Sequence, residues 1–396
     1  MKVTEAFVAG PPPGCLTIAC IEDTAGFRAL QHDWRLLHHA CPGVTPFNSW
    51  EWLFSWWQAY RGAKRLRLLT WRLDDELVGV APLYSNAEKT GVGTKARVLR
   101  AVGDGSADSD YLGFLVRPDV LPVVMQQLGN WLAADEAWDV LVLRELPETS
   151  ALPRALGELA ERRRLQFRIE HGQCGVVDLP ATFEAFLRAR QPRFRTKLRC
   201  LIKSIDERGL SFEDDCVPGK LRGRLRSLFR LHQRRWQAAG APGVFGQAAK
   251  RMFYAHFVPR FARRGWLRLY SLRDGNGYRA HQLCFGADGV TYLLQEGFDV
   301  SDPSASYGQM LRAAVMRHLI SCGESRYDFL GGFSKHKEDW GARETQNTHL
   351  VIARRGWRGS LYFSLPLWRE RSVDAAKRAL PEVALRILKR TRAVHS

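Results

Sequence analysis

Trp266-Leu-Arg-Leu-Tyr-Ser-Leu272, Tyr278-Arg-Ala-His-Gln-Leu-Cys-Phe285 and Val290-Thr-Tyr-Leu-Leu-Gln-Glu-Gly-Phe298 are apolar, β-prone runs separated by Asp274-Gly-Asn-Gly277 and Gly286-Ala-Asp-Gly289. Asn-Gly and Asp-Gly pairs supply the positive backbone angles of tight hairpins, so the spacing predicts an antiparallel three-strand meander. After Asp299-Val-Ser-Asp-Pro-Ser-Ala-Ser306, the residues Tyr307, Met310, Leu311, Ala314, Val315 and Leu319 fall on one helical stripe that Gly323 ends. Tyr327-Asp-Phe-Leu330, bounded by Gly331-Gly332, reads as a short strand entering the loop Phe333-Ser-Lys-His-Lys-Glu-Asp-Trp340. The first amides of a helix lack intrahelical acceptors and suit a phosphate, and Gly308 in that first turn allows close approach of the backbone. Packing is the commoner reason for such a glycine.

The first half repeats the order. Strands at Leu66 to Leu73 and Leu77 to Tyr84 flank an Asp74-Asp75-Glu76 turn, followed by Arg97 to Val102 and Tyr111 to Val116, a helix over Val120 to Ala134 and the strand Trp138-Asp-Val-Leu-Val-Leu143. Its aromatic-Asp opening matches Tyr327-Asp328. The helix Leu152 to Leu165 and the strand Gly175 to Leu179 complete that copy, so two copies of one α/β unit are expected. Thr182 to Gly209 and Lys220 to Gly265 read as long helices inserted beside the second copy, with Thr182 as N-cap. The expected domains are 1–180, 181–356 and a basic amphipathic tail over 357–396.

Tyr307-Gly-Gln-Met-Leu311, Tyr327-Asp-Phe-Leu-Gly-Gly332 and Lys335-His-Lys-Glu-Asp-Trp340, with Pro46-Phe-Asn-Ser-Trp-Glu-Trp-Leu53 and Trp56-Trp57 upstream, resemble the CelD/BcsL-like acetyltransferases of the GNAT superfamily. The resemblance spans Trp34 to Ala353. It implies a fold class of α/β (α+β) with tandem GNAT-like units, each a mixed, largely antiparallel sheet flanked by helices. The tandem plan is also similar to that of Fem-type aminoacyl transferases, whose second unit carries the transfer site. The implied activity is acyl transfer from acetyl-CoA or another acyl-CoA to a sugar or amine acceptor, in exopolysaccharide, cellulose or envelope metabolism. The usual GNAT phosphate loop carries Arg or Gln and two glycines; here only Gly308 and Gln309 stand, in reversed order.

Direct acyl transfer needs a base for the nucleophile, a polarised carbonyl and a proton for the leaving group. Glu296, near the end of the third strand, is the candidate base, with an edge carboxylate paired to an arginine as the plain alternative. His281, sharing a face with Leu283 and Phe285, reads first as a core histidine and second as a backup base. Phe298, Tyr307, Gly308 and Gln309 are the cofactor candidates. The resemblance makes Lys337 a substrate or phosphate contact, against the alternative of a solvated lysine, with Lys335, Trp340 and Arg343 beside it. Asp328 orients that loop, by capping backbone amides or by pairing with Lys337. In the loop Gly103 to Tyr111, Asp110 and Tyr111 match a family feature and are acceptor-side candidates; a solvated loop with turn-forming carboxylates is the other reading.

The 396 residues carry a net charge of +18, which favours anionic partners: acyl-CoA, tRNA or another anionic polymer, acidic polysaccharide, or the inner-membrane surface. Charge does not choose among them, and high genomic G+C content also enriches arginine. A dense basic face at Arg188, Arg190, Arg193, Arg195, Lys197, Arg199 and Lys203 fits the polymer reading. Phe47, Trp50, Trp52, Phe54, Trp56 and Trp57 suit sugar stacking or, by their helical spacing, the core. No apolar run approaches the about 20 residues of a membrane span, and Met1 to Phe7 lacks a signal-peptide core, so the expectation is cytoplasmic, with the tail a candidate contact to the inner membrane. The eight cysteines are scattered without zinc spacing and read mostly as small buried hydrophobes; no metal is assigned, His38, His39 and Cys41 lacking a fourth ligand. A Fem-like transfer from aminoacyl-tRNA, or a scaffold in a polysaccharide-synthesis complex, are the competing functions.

Overall fold

The computed structural model describes residues 15–90, 93–106, 108–214, 216–302 and 304–364. The chain runs through β1 (Leu16–Ile21), α1 (Thr24–Ala29), α2 (Gln31–Ala40), α3 (Trp50–Tyr60), β2 (Arg65–Leu73), β3 (Glu76–Lys89), β4 (Lys95–Ala101) and β5 (Leu115–Val116). It continues through α4 (Leu121–Ala134), β6 (Val140–Pro147), α5 (Leu152–Arg162) and β7 (Gln166–Asp178). Next come α6 (Phe183–Arg188), α7 (Pro192–Glu207), β8 (Ser211–Glu213), α8 (Pro218–Ala238), α9 (Ala248–Arg263), β9 (Leu267–Asp274), β10 (Gly277–Ala287) and β11 (Val290–Phe298). The last elements are α10 (Tyr307–Ser321), β12 (Arg326–Gly331), α11 (Lys335–Asp339), β13 (Arg343–Ala353) and α12 (Trp357–Ser364). The fold is mixed α/β, with mostly antiparallel strands flanked by helices. The tail beyond 364 lies outside the described residues.

The chain divides into two units, breaking at 172/173 and 345/346, so that described residues from Gln346 onward belong with the first. In the first unit the sheet order is β1-β2-β3-β4-β6-β13, with β5 on β3. All neighbours along it are antiparallel except β4 and β6. The Asp74-Asp75 turn joins β2 to β3 with φ of 47° and 70°, the paired positive angles a tight hairpin requires. In the second unit, β7 from Gln173 onward is followed by β12, β11, β10, β9 and β8, and only β12 with β11 is parallel.

Meander, helix and parallel strand thus occur twice, as expected, but the strand expected to close the first copy does not. The apolar end of β7, Cys174 to Val177, pairs with β12, and Val177 is buried in the second core beside Phe186 and Tyr327. β13 takes the place on β6 instead. Both expected long helices are interrupted. Pro192 opens α7, and the extended Gln191 before it (φ −55°, ψ 144°) obeys the constraint that a proline imposes on its predecessor. Gly240 and Gly243, both at positive φ around Pro242, separate α8 from α9. Thr182 caps α6 through its hydroxyl, which accepts from the Ala185 amide. The expected strand from Tyr111 to Val116 shrinks to β5.

Two further expectations are corrected. Asp104, Asp108, Ser109 and Asp110 are buried, so the 103–111 loop is not a solvated one; Trp52 donates its indole N–H to Ser109 Oγ at 2.9 Å. The cysteines are all free, but only Cys41, Cys174 and Cys284 are buried; of the exposed ones, Cys15 and Cys322 lie just outside the ends of β1 and α10, and Cys200 lies on an exposed position of α7. The six aromatics of 47–57 are each at most 4% exposed, which assigns them to the core.

Candidate functional site

β11 pairs with β10 along its length but with β12 only from Val290 to Tyr292. Leu294 is an extra residue facing the Leu283 to Cys284 step, a bulge that bends the strand. Past Tyr292 the parallel strands part, and the edge of Leu293 to Phe298 that faces β12 has no ladder partner among the described residues. An extended, amide-bearing ligand can complete such an edge.

Glu296 stands on this open arm. Gln282, directly across the β10–β11 pair, donates Nε2 to Glu296 Oε1 at 2.5 Å, and Arg312 of α10 pairs with Oε2. Tyr327 donates its hydroxyl to Gln282 Oε1 at 3.2 Å, so the amide is held from both ends. Arg312 lies over Phe329 and Trp340, with its guanidinium 5.2 and 5.3 Å from the two ring centres, and donates to His336 Nε2. That nitrogen is therefore unprotonated, and burial and Arg312 lower the His336 pKa to about 4.

His281 faces the other way. It sits opposite Gly297, where α8 closes on the sheet: a Cβ on Gly297 would lie 2.8 Å from Leu228 O and His232 N. Its Nδ1 is 2.7 Å from Ser271 Oγ, which also accepts from Arg224 at 2.7 Å. Burial first, then Arg224 and Arg230, lower its pKa to about 3, so it is a neutral core histidine and not part of the Glu296 cluster.

At the start of α10, Ser306 is in the left-handed region (φ 53°, ψ 37°) and its side chain makes no cap. The Tyr307 and Gly308 amides meet no acceptor among the described residues, while Asp299 and Asp302 accept from the Ser301 and Ser304 amides of the preceding loop, each at 3.0 Å. A Cβ on Gly308 would lie 2.6 Å from the Phe298 ring, so this glycine admits that ring. Tyr307 is buried in the core, and Gln309 buries its Oε1 without a partner among the described residues.

Around β12, Asp328 Oδ1 accepts from the Leu330 amide at 2.7 Å, a backbone cap of the kind expected. Leu330 has φ 59°, and β12 bulges here against β7. Lys337 Nζ lies 2.5–3.1 Å from the carbonyls of Phe329, Leu330, Gly331 and Gly332, so it ties off the strand end. Lys335 pairs with Glu338 and Asp339, and Arg343 with Asp178, all in exposed positions. Trp340 is 1% exposed and packs edge-on against Phe194. In the first unit, Asp110 is buried and Tyr111, at φ 51°, packs toward Phe47. Sequence reasoning missed Arg312, Gln282 and Arg235. Arg312 was signalled by its position: a lone cation inside the run Met310 to Met316, all of it buried.

On the basic face expected at 188–203, Arg199 pairs with Glu184, Lys203 with Glu207, and Arg190 stacks on Phe186. Among the described residues no group of His, Cys, Asp and Glu gathers as a metal site, and no helix is long and apolar enough to cross a membrane.

Residues 192–338 match the family model described as an acetyltransferase (GNAT) domain. The structure is similar to that of FemX, with 11% identity, 81% of this chain and 95% of that chain covered, and a TM-score of 0.56. It is also similar to a conserved protein of unknown function from Bacteroides thetaiotaomicron, with 10% identity, 82% and 97% covered, and a TM-score of 0.51. Comparison with curated proteins gives no match. The matched residues lie within the second unit and take in the parted strands and the helix that follows β11.

Proposed function

We propose that the second unit is an acyltransferase of the CelD/BcsL-like type that takes an acyl group from acetyl-CoA or another acyl-CoA and passes it to a sugar or amine in exopolysaccharide, cellulose or envelope metabolism. One observation carries the reading: β11 and β12 separate after Tyr292 and leave an unpaired arm that bears Glu296. The amides of an extended donor pair with that arm, which sets the thioester carbonyl beside the carboxylate. Glu296 takes the proton of the acceptor, directly or through a water, while Gln282 and Arg312 fix its orientation. Phe298 and Gly308 line the donor's path, and the Tyr307 and Gly308 amides, which meet no acceptor among the described residues, face its phosphates. Lys337 and Asp328 support the site by holding the end of β12 in its bulged form.

Calorimetry with acetyl-CoA and desulfo-CoA tests the donor: binding of both is expected, and binding of neither overturns it. Given binding, Glu296→Gln lowers turnover on the order of 100-fold with donor affinity retained.

A second reading is a Fem-like transfer from aminoacyl-tRNA. The carboxylates of Asp299 and Asp302 occupy loop amides where a donor pyrophosphate is expected. Arg222, Arg226, Arg230 and Arg234 recur at every fourth position of α8, all exposed, whereas the cations of α7 are partly neutralised. Salt-dependent retention of tRNA that is lost in an Arg226→Glu, Arg230→Glu variant favours this reading; no retention at low salt dismisses it.

A further inference from the structure

The Glu296 cluster has one cation too many. Arg312 is 6% exposed and spends its terminal nitrogens on Glu296 and His336; its Nε is buried without an acceptor among the described residues. Arg235, at the C-terminal end of α8, is only partly exposed, and its guanidinium lies over the Phe298 ring at 5.0 Å. It makes no hydrogen bond or ion pair to any described residue; the charges that act on it are Glu296, which favours its cation, and Arg312, which opposes it. Two guanidiniums therefore share one carboxylate, and the neutral His336 of α11 accepts from Arg312. Trp340 adds a buried indole N–H, 1% exposed and without a described acceptor, against the ring on which Arg312 stacks.

Withholding an acceptor from a half-buried guanidinium costs free energy, because burial disfavours its charge and nothing nearby returns the hydration lost. Burial accordingly lowers the Arg235 pKa. An arginine that served the fold alone would have found a carboxylate or a carbonyl, as Arg224 does on the same helix with Leu269 O and Ser271 Oγ.

We propose that Arg235, with Arg312 behind it, forms an oxyanion subsite over Phe298 that binds an anionic group of the substrate next to Glu296. This deepens the acyltransferase reading and rests on it for the identity of the neighbouring chemistry, but not for the binding itself. A planar fork with five donors suits a carboxylate or a phosphate bidentately. The two sources are the donor's phosphates and a carboxylate on the acceptor or the acyl chain, and different probes separate them.

The full chain is melted at constant ionic strength with inorganic pyrophosphate and, separately, with succinate, for the wild type, Arg235→Met, Arg235→Lys and the exposed control Arg263→Met at the end of α9. A ligand that binds the folded state alone raises the melting temperature in proportion to its occupancy. In the wild type and the control, at least one anion is expected to raise it; in Arg235→Met that increment disappears, and Arg235→Lys keeps part of it. Without anion, Arg235→Met melts at or above the wild-type temperature, since the cost of burying the guanidinium outweighs the attraction of Glu296. A response to pyrophosphate assigns the donor, and a response to succinate assigns a carboxylate. The proposal is overturned if neither anion acts through Arg235, or if Arg235→Met melts several degrees lower, as loss of a structural contact would require. The acyl-CoA calorimetry fails or succeeds separately: unchanged acetyl-CoA binding in Arg235→Met with no anion response removes the subsite and keeps the donor, and an Arg235-dependent succinate response without acetyl-CoA binding does the reverse.

Discussion

The two units share an order of elements and differ in what happens where their parallel strands meet. β4 and β6 pair over Val98 to Arg100, and β4 ends one residue later at Ala101. β11 and β12 also pair over three rungs, but β11 runs on to Phe298. The last rung of the first unit is itself occupied by a charge that is fully answered: Arg100 donates to Glu88 and Asp104 and meets the Tyr362 hydroxyl at 3.0 Å. Burial opposes that cation, but the two carboxylates outweigh it and hold its pKa well above the usual range. In the second unit the corresponding region holds a strand edge and an arginine side chain, that of Arg235, which find no hydrogen-bond partner among the described residues. One copy of the architecture has been closed with a satisfied ion cluster; the other keeps groups without partners among the described residues, the condition on which the proposed subsite rests.

The aromatic-Asp pairs do not coincide in space. Asp139 precedes the β4–β6 ladder and accepts from the Arg97 amide and guanidinium, whereas Asp328 stands at the third rung of its ladder and caps Leu330. Each partner strand nevertheless bulges around a residue at positive φ, Glu145 in β6 and Leu330 in β12. The first bulge is tied by His349 and Asn347, from β13, and the second by Asp328 and Lys337. What is repeated is therefore the backbone geometry, reached with different side chains.

The largest expected break of this comparison is at Arg100. Arg100→Met leaves Glu88 and Asp104 near each other in a buried site without their cation, and the loss of stability is expected at about 3–5 kcal/mol. Urea unfolding of the two variants side by side checks it: Arg100→Met falls steeply where Arg235→Met does not. Similar midpoints for the two would erase the distinction between a closed and an open copy.

Much of this plan was legible before any coordinates. The Asp-Gly and Asp-Asp turns fixed both meanders, because positive backbone angles admit few residues, and the apolar stripe of α10 located the helix behind the open edge. That Glu296 lies near the end of the third strand was legible. Its partners were not, since Gln282 reaches it by cross-strand register and Arg312 across a helix-to-sheet contact, neither of which sequence spacing encodes. The exchange of β7 and β13 escaped notice for the same reason: each is a suitable apolar strand, and only the packing of Val177 decides which core receives it.

Lys337 sharpens the comparison of the two bulges. If it serves β12 as His349 and Asn347 serve β6, Lys337→Met strands four carbonyls and lowers stability by about 2 kcal/mol, the scale of hydrogen bonds to a charged group. Thermal melts read this directly, and acetyl-CoA affinity measured well below the melting temperature should change little. Unaltered stability with a large loss of affinity would instead make Lys337 a ligand contact.

The smallest effect is a pH dependence carried by the second unit. His232 and His281 are buried, with pKa values lowered to about 2 and about 3, mainly by burial. His232 Nε2 accepts from the Trp236 indole at 2.9 Å, which requires that nitrogen to be unprotonated. Because both folded values lie below the ordinary value near 6.5, the unfolded chain binds protons that the native state refuses. Their stabilisation is complete above pH about 6.5 and is lost as pH falls toward the folded values, at up to about 1.4 kcal/mol per pH unit for each histidine. Between pH 6 and 4.5 the carboxylates of Asp178, Asp274 and Asp299, whose pKa values are lowered from 3.8, stay charged in both states and do not obscure the slope. Urea midpoints across that window are therefore expected to fall with acid, and His281→Asn, which removes one of several rings with lowered pKa values, His336 and His256 among them, to flatten part of the fall. A slope unchanged by that substitution would mean that acid reaches His281 in the folded protein, and the helix and sheet that enclose it would have to open more readily than the close approach of α8 at Gly297 allows.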